Sequence, residues 1–214
     1  MDKNMTRIYA VEKKPALEQK IYTSWKWRDE KKIFQAKRHE KKVGVVIFIS
    51  DKIDIKKKSI KRDKVGHYII LKGLVQQEDI TLVNIYATNI GAPKYLRKIL
   101  EDLKKDIDNT VIIRNFNTPL STLDRSSKER INKDIVALNI TLDQMNLTDI
   151  YRILHTKEAK YAFFSNAHGT SSITDHMGGQ KTSLNKFKKI EIISSMCSDH
   201  NGLKLETNHK EKKL

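Results

Sequence analysis

The stretch Val111-Ile-Ile-Arg-Asn-Phe-Asn117 decides how this sequence is interpreted, because three β-branched apolar residues run directly into polar side chains. Such a run, ended by Thr118-Pro119, is typical of a short buried β-strand. Polar groups that follow a buried strand lie at one end of a sheet, where loops on a rigid scaffold often carry function. The sequence therefore predicts part of a functional site here. Arg114 and Asn115 supply a cation and an amide, where hydrolytic chemistry would need a carboxylate.

Composition and charge narrow the class of protein. The chain has 214 residues, enough for one domain with a sizeable core, and its formal net charge is +16. This positive surplus favours association with polyanions, most commonly nucleic acid, although a lysine-rich solvated surface without a partner is the alternative. The single cysteine, Cys197, excludes an intrachain disulfide and predicts a reducing compartment, nuclear or cytoplasmic. No apolar run is long enough for a membrane span, so we expect no membrane association.

The apolar pattern predicts many strands with two helices inserted between them. The expected helices run from Pro93 to about Ile107 and from about Lys128 to Met145, each with apolar residues at helical spacing. Strands before the first helix are joined by turns, so we expect antiparallel neighbours. This order favours two packed sheets with helices outside over a doubly wound parallel sheet. The predicted strands include Lys42–Ser50, His67–Lys72, Ile80–Ala87, Tyr161–Ser165, Ile190–Ile193 and Leu203–Leu205.

Polar side chains gather at the predicted strand ends. A histidine oriented by a carboxylate keeps a defined tautomer, a second carboxylate accepts a proton from water, and hard cations prefer oxygen ligands. Such a set is suited to hydrolysing a phosphodiester with a bound cation. Successive strand residues point to opposite faces, so each Asp-His pair is expected to give one member to a shared site; a solvated turn is the competing interpretation. The residues concerned are Asn84, Tyr86, Asn89, Asn115, Asn117, the pair Asp175-His176 and the pair Asp199-His200.

Two sets of segments carry a resemblance. The first set is Asn84-Ile-Tyr-Ala-Thr-Asn89, Asn115-Phe-Asn-Thr-Pro-Leu-Ser121, Thr174-Asp-His176 and Ser198-Asp-His200. In this order, it resembles the exonuclease III and apurinic endonuclease type of endonuclease–exonuclease–phosphatase proteins. The second set is Lys61-Arg-Asp-Lys-Val-Gly-His-Tyr68, Leu120-Ser-Thr-Leu-Asp-Arg125, Leu147-Thr-Asp-Ile-Tyr-Arg152 and Tyr161-Ala-Phe-Phe-Ser165. It resembles the endonuclease domain at the start of the second open reading frame of mammalian LINE retrotransposons.

The resemblance implies a fold and an activity. The implied fold is an α+β, four-layer α/β/β/α sandwich of two mostly antiparallel sheets, with the first strand region missing or replaced. The domain would span residues 30–206, after a divergent segment 1–29 and before a basic tail 207–214. The implied activity is a magnesium-dependent nick in T-rich DNA that primes reverse transcription. DNA is then the expected partner, and no small-molecule cofactor is expected.

The resemblance also assigns residue roles. Asp199 would be the metal-site carboxylate and would polarise the surroundings of His200, which would contact the scissile phosphate. Asp175 would orient His200. Asn117 would position the attacking water, and Tyr86 would contact the phosphate. Further contacts with phosphate or DNA fall on Asn89, Arg125 and Ser172.

Three departures from the family pattern bear on activity. The family motif Gly-Asp-Phe-Asn is Arg114-Asn-Phe-Asn117 here, so an amide, which cannot exchange a proton near neutral pH, stands at the catalytic position Asn115. The family's metal glutamate and first strand are not recognisable in residues 1–29, which either replace that strand or leave apolar surface and backbone groups uncovered. Ile173-Thr174 before Asp175 also departs from the family pattern.

We therefore expect a truncated and substituted endonuclease domain that has lost metal-dependent nicking and keeps some affinity for DNA. One alternative is an active nuclease that recruits Glu18 or Glu30 as the metal ligand. The others are a non-catalytic nucleic-acid-binding remnant and a non-functional translated fossil of a retroelement.

Overall fold

The computed structural model describes residues 6–13, 32–36, 44–49, 53–75, 77–87, 91–104, 110–115, 120–124, 131–154, 163–165, 170–172, 175–193 and 202–207. The strands are β1 (Thr6–Lys13), β2 (Lys32–Ala36), β3 (Gly44–Ile49), β4 (Ile55–Arg62), β5 (Tyr68–Val75), β6 (Glu78–Tyr86), β7 (Thr110–Asn115), β8 (Leu147–Asp149), β9 (Phe163–Ser165), β10 (Thr170–Ser172), β11 (Asp175–Gln180), β12 (Phe187–Ile193) and β13 (Gly202–Thr207). The α-helices are α1 (Ala92–Leu103), α2 (Lys133–Gln144) and α3 (Ile150–Leu154). Short 3-10 helices cover Thr122–Asp124 and Lys181–Lys186.

A five-stranded sheet has the order β12-β13-β1-β3-β2, with antiparallel neighbours throughout. Its central strand is β1, which pairs with β13 on one side and β3 on the other. Of the two alternatives for the first strand region, missing or replaced, the structure favours replacement, because Thr6–Lys13 forms a strand although the sequence shows no recognisable family motif there. Only four apolar residues, Ile8–Val11, separate charged neighbours in this segment, too few for a periodic signal. The predicted domain start at residue 30 stays a prediction, and β1 lies before it.

A six-stranded sheet has the order β4-β5-β6-β7-β11-β8. The pair β6–β7 is parallel, and the other neighbouring pairs are antiparallel. A parallel pair needs a crossover connection, and α1 lies between β6 and β7 in the chain. The α+β sandwich of two mostly antiparallel sheets that the sequence predicts is confirmed.

Two hydrophobic cores separate the layers. Leu82 of β6 packs in the core between the sheets, whereas Val83 and Ile85 pack in the core under α1 and α2, as expected for residues that alternate along a strand. All six positions of β3 are buried. Burial on both faces explains why this strand is a continuous apolar run in the sequence.

The residue before each of the two long helices determines where the helix begins. α1 follows Gly91, whose φ of 73° lies in the left-handed region, and Pro93 sits in its first turn as predicted. The second predicted helix was expected to begin near Lys128 and instead begins at Lys133. The reason is a cap, because the Asn132 side chain accepts a hydrogen bond of 2.9 Å from the Ile135 amide. Within the described residues, none of the helices has the length and apolar character needed to cross a membrane.

The cap on α2 gives a first prediction. Asn132→Ala should lower the free energy of unfolding by about 1 kcal/mol, because it removes the acceptor for an orphan helix amide. Urea denaturation followed by far-UV circular dichroism measures this difference. Asn132→Asp is the matched control and should keep nearly all of the stability, since aspartate caps as well as asparagine. Equal stability of the two variants would contradict the capping role.

Candidate active site

Three sequence-predicted site residues align in one row of the six-stranded sheet. In the parallel pair β6–β7, Tyr86 lies opposite Asn115. In the antiparallel pair β7–β11, Asn115 lies opposite Asp175. The register thus brings together residues from three separate segments at the end where β6 and β7 finish and β11 begins. A hydroxyl-bearing, an amide-bearing and a carboxylate-bearing residue stand side by side, with the amide at the centre.

Tyr86 is held by an aromatic cluster that the sequence did not predict. Its backbone N–H donates to the His67 carbonyl at 2.8 Å, and the two ring centroids are 6.2 Å apart. His67 also meets Tyr95 of α1 edge to face at 5.7 Å, with 3.3 Å between the Tyr95 hydroxyl and His67 Nδ1. Burial raises the pKa of Tyr95 to about 12, and the nearby Asp63 carboxylate adds to the shift. Tyr95 therefore keeps its hydroxyl proton at neutral pH and serves as a stable part of this cluster.

Asn84, one of the polar residues predicted at strand ends, has a structural contact. Its side chain is buried, and Nδ2 donates to the Val46 carbonyl of β3 at 2.9 Å. This hydrogen bond joins the two sheets across the core between them. A buried side-chain amide without an acceptor would cost about 1–3 kcal/mol, so this contact lets Asn84 be buried in the sheet packing that supports Tyr86.

Asp175 and His176 lie within β11, so the competing interpretation of this pair as a solvated turn is wrong. His176 is fully buried, and its Nδ1 lies 2.7 Å from Asp149 Oδ2 in β8. The second carboxylate oxygen of Asp149 accepts a hydrogen bond from the Tyr151 amide at 3.0 Å. A histidine oriented by a carboxylate is thus present, but the pair is His176–Asp149. The only sequence signal was the inclusion of Asp149 in the resemblance segment Leu147–Arg152.

The segment that follows β7 is anchored by a buried carboxylate. Asp124 is fully buried, and its Oδ2 accepts hydrogen bonds from the Leu120 and Ser121 amides at 2.9 and 2.8 Å. Arg152 of α3 forms an ion pair with Asp124 Oδ1 and donates to Ser121 Oγ at 2.6 Å. Two segments quoted for the resemblance, Leu120–Arg125 and Leu147–Arg152, therefore meet in space. Their contact fixes the chain just beyond the row of Tyr86, Asn115 and Asp175.

This anchor gives a second prediction. Asp124→Ala should lower the free energy of unfolding by about 3 kcal/mol, because it leaves a partly buried guanidinium and two backbone amides without their acceptor. This loss in the free energy of unfolding is at the lower end of the range for a broken buried ion pair, because the Arg152 side chain is 34% exposed. Urea denaturation measures the change. Arg152→Lys, which keeps the charge, should lose less stability. A full loss with Arg152→Lys would contradict the expectation that the charge carries this contact and would assign it to the shape of the guanidinium, whose Nη2 reaches both Asp124 and Ser121.

The remaining predicted residues divide into two groups. Ser172 lies in β10, which pairs with β9 in a separate two-stranded sheet. The structure places it in that hairpin and not in the row. The predictions for Asn89, Asn117, Arg125, Cys197, Asp199, His200, Glu18 and Glu30 lie outside the described residues.

The expected magnesium site is not assembled by the residues that the structure describes. Among them, no group of three or more His, Cys, Asp or Glu residues is placed to hold a metal ion. Two acids of this region, Asp124 and Asp149, are engaged by backbone amides and by Arg152 or His176. These residues do not fit a metal centre.

No family model matches this chain. Among solved structures, it is similar to an AP endonuclease from Archaeoglobus fulgidus, with a TM-score of 0.70 and 13% identity over 94% of this chain and 89% of that one. It is similar to the endonuclease domain of TRAS1, a telomere-specific non-LTR retrotransposon, with a TM-score of 0.64 and 16% identity over 84% and 81% of the two chains. It is also similar to the 3′ phosphatase NExo from Neisseria, bound to product DNA hairpin, with a TM-score of 0.64 and 15% identity over 83% of this chain and 79% of that one. The chain thus has the fold of the AP endonuclease and exonuclease III-like nucleases.

Proposed function

We propose that this chain is a substituted retrotransposon endonuclease domain, of the mammalian LINE type, that binds DNA and no longer nicks it. The observation that carries the proposal is the row of Tyr86, Asn115 and Asp175, in which the central position holds an amide. The three residues come from the motifs that resemble the family, and the strand register aligns them. The alignment supports a common ancestral site, and the amide supports its loss of activity.

The chemistry of the central position explains the proposed loss. Hydrolysis of a phosphodiester needs a group that accepts a proton from water or gives one to the leaving oxygen. An amide does neither near neutral pH, whereas an aspartate at position 115 would do so. General acid–base catalysis contributes roughly 10²- to 10⁴-fold to rates, so Asn115 alone is expected to lower the rate by that order.

The proposed loss of nicking activity does not depend on a step at a magnesium ion. The resemblance implies Mg²⁺, with Asp199 as its ligand, and the described residues do not assemble a site for it. When bound in a nuclease, such an ion stabilises charge on the phosphate oxygens. The residues of this chain that would act on the phosphate are then Tyr86, through its hydroxyl, and Asn117, through its amide.

DNA is the partner that the charge and the fold support. A formal net charge of +16 attracts polyanions, and such binding weakens as salt rises because condensed counterions are released from the nucleic acid. One of the structurally similar proteins is an AP endonuclease, and NExo was observed with a product DNA hairpin. We place the protein in a reducing compartment, nuclear or cytoplasmic, as its single cysteine predicts.

We favour a folded DNA-binding domain over a non-functional translated fossil of a retroelement. The core between the sheets contains Val45, Ile47 and Ile49 of β3, none more than 1% exposed. A second core of similar size lies under α1 and α2. Burial of apolar side chains is the main source of folding free energy, and the two buried cores therefore support a folded domain.

The proposal gives a third prediction, tested by nicking of supercoiled plasmid in magnesium. The native chain should leave the plasmid supercoiled. The double revertant Arg114→Gly/Asn115→Asp should nick it at least about 100-fold faster, since it restores the acid at the centre of the row. Gel electrophoresis of the relaxed product measures the rate.

The control for this experiment adds Tyr86→Phe to the revertant. This change removes one hydroxyl from the row and should reduce the recovered activity. The contrary result is that the native chain nicks the plasmid and loses this activity with Tyr86→Phe. That result would show that the site is active and would overturn the proposed loss of nicking. A revertant that stays inactive would place the defect in the missing metal glutamate.

A further inference from the structure

The edge strand β4 carries a dense run of cations. Between Lys56 and Lys64 the chain has six basic residues and one acid. β4 is the outermost strand of the six-stranded sheet on its side. The lysines of this run are all exposed, and we name them the β4 lysine track: Lys56, Lys57, Lys58, Lys61 and Lys64.

Most of the track lysines form no ion pair with an acid in the described part of the chain. Lys58 forms an ion pair with Asp79, and the nearby Arg62 Nε donates to the Gln35 carbonyl at 2.9 Å. Asp63 accepts a hydrogen bond from the His67 amide at 3.0 Å. For the other track lysines, no acid in the described parts of the chain lies within ion-pair distance. Among the residues that the structure describes, these ammonium groups therefore have no acidic neighbour that competes with an external anion.

The track leads directly to the candidate active site. The turn from β4 to β5 contains Lys64 and ends at His67, whose carbonyl accepts the Tyr86 amide proton. Lys61 lies opposite Ile70, and Ile70 lies opposite Val83, so the end of β4 is two strands away from the end of β6. Two strand spacings are about 10 Å. One bound polyanion can therefore contact Tyr86 and the near end of the track together.

The length and shape of the track suit a nucleic acid backbone. From Lys56 to Arg62 the strand spans about 20 Å, at roughly 3.3 Å per residue. Duplex DNA carries one charge per ~1.7 Å of helix axis, so about a dozen phosphates lie along that length. Compact anions would engage one or two lysines. Successive residues of a strand point to opposite faces, so the lysines flank the exposed edge of β4 on both sides, and an extended backbone that follows this edge lies within reach of both sets.

We infer that the β4 lysine track is a docking surface for the DNA backbone that extends from the Tyr86 end of the sheet along the sheet edge. The inference rests on the proposed function, because it takes DNA as the polyanion. It adds the location of the contact and the direction in which the nucleic acid leaves the site. Phosphate contacts of this kind position DNA without reading its sequence.

Lysines on an edge strand have a competing explanation. Charged side chains at a sheet edge prevent the exposed backbone from pairing with another chain. That role predicts self-association when the charges are removed and no direct effect on DNA binding by the monomer. The two explanations are therefore separable by one set of variants.

The experiment is a fluorescence anisotropy titration of the full chain against a labelled duplex of about 20 base pairs, which exceeds the track in length. The track variant is Lys57→Gln/Lys61→Gln/Lys64→Gln. We expect about 10- to 100-fold weaker binding near 0.1 M salt, and a salt slope smaller by about 3, because three phosphate contacts are lost. The duplex should contain no preferred sequence, since backbone contacts do not require one.

The matched control is Lys98→Gln/Lys104→Gln/Lys133→Gln, which removes the same charge from exposed positions on α1, its C-terminal end and α2. It should bind within about threefold of the native chain, since it keeps the track contacts. Arginine at the three track positions should restore native binding. This result would attribute the lost affinity to the removed positive charge and not to a change in the fold. Gel filtration and circular dichroism confirm monomeric, folded samples.

Three contrary outcomes can be told apart. If the native chain does not bind the duplex at any salt concentration, the proposed function and the track both fail. Equal loss in the track and control variants attributes binding to net charge and overturns the track alone. A track variant that self-associates, while its monomer binds DNA like the native chain, assigns the lysines to edge protection and also overturns the track.

Discussion

The parallel pairing of β6 with β7 is the constraint on which the site depends. A parallel neighbour cannot be reached by a tight turn, so the chain crosses over through α1 before β7 begins. The crossover helix brings Tyr95 against His67 and closes the core under the sheet. The same pairing sets Asn115 beside Tyr86, and β11 then adds Asp175 on the far side. Helix, core and site thus follow from one strand pairing.

The sheet sandwich and several of its elements could be predicted from local patterns. The continuous apolar run of β3 and the proline at the start of α1 each reflect forces that act over a few residues. The membership of Tyr86, Asn115 and Asp175 in one site came from the motif resemblance, and their alignment required the strand register. Register depends on which strands become neighbours, and no local pattern in this chain specifies that for β7 and β11.

Other features escaped prediction because distant partners determine them. β1 has a weak apolar pattern, and its place at the centre of a sheet is stabilised by β3 and β13. The ion pair of Asp124 with Arg152 and the contact of His176 with Asp149 join segments that are far apart in the chain. Charged residues are common in this sequence, so charge alone could not identify the buried ones. Burial is a property of the folded chain, and it turned ordinary acids into structural anchors.

The position of Asn115 as the last residue of β7 has a consequence for which substitutions such a domain tolerates. A strand is paired through its backbone, so a side-chain exchange at its terminal position leaves the ladder unchanged. Inward residues such as His176 and Asp124 lack this tolerance, because each is buried with a specific partner. The residue at the end of β7 can therefore be exchanged without loss of the sheet, whereas the exchange of a buried, paired residue weakens the fold itself.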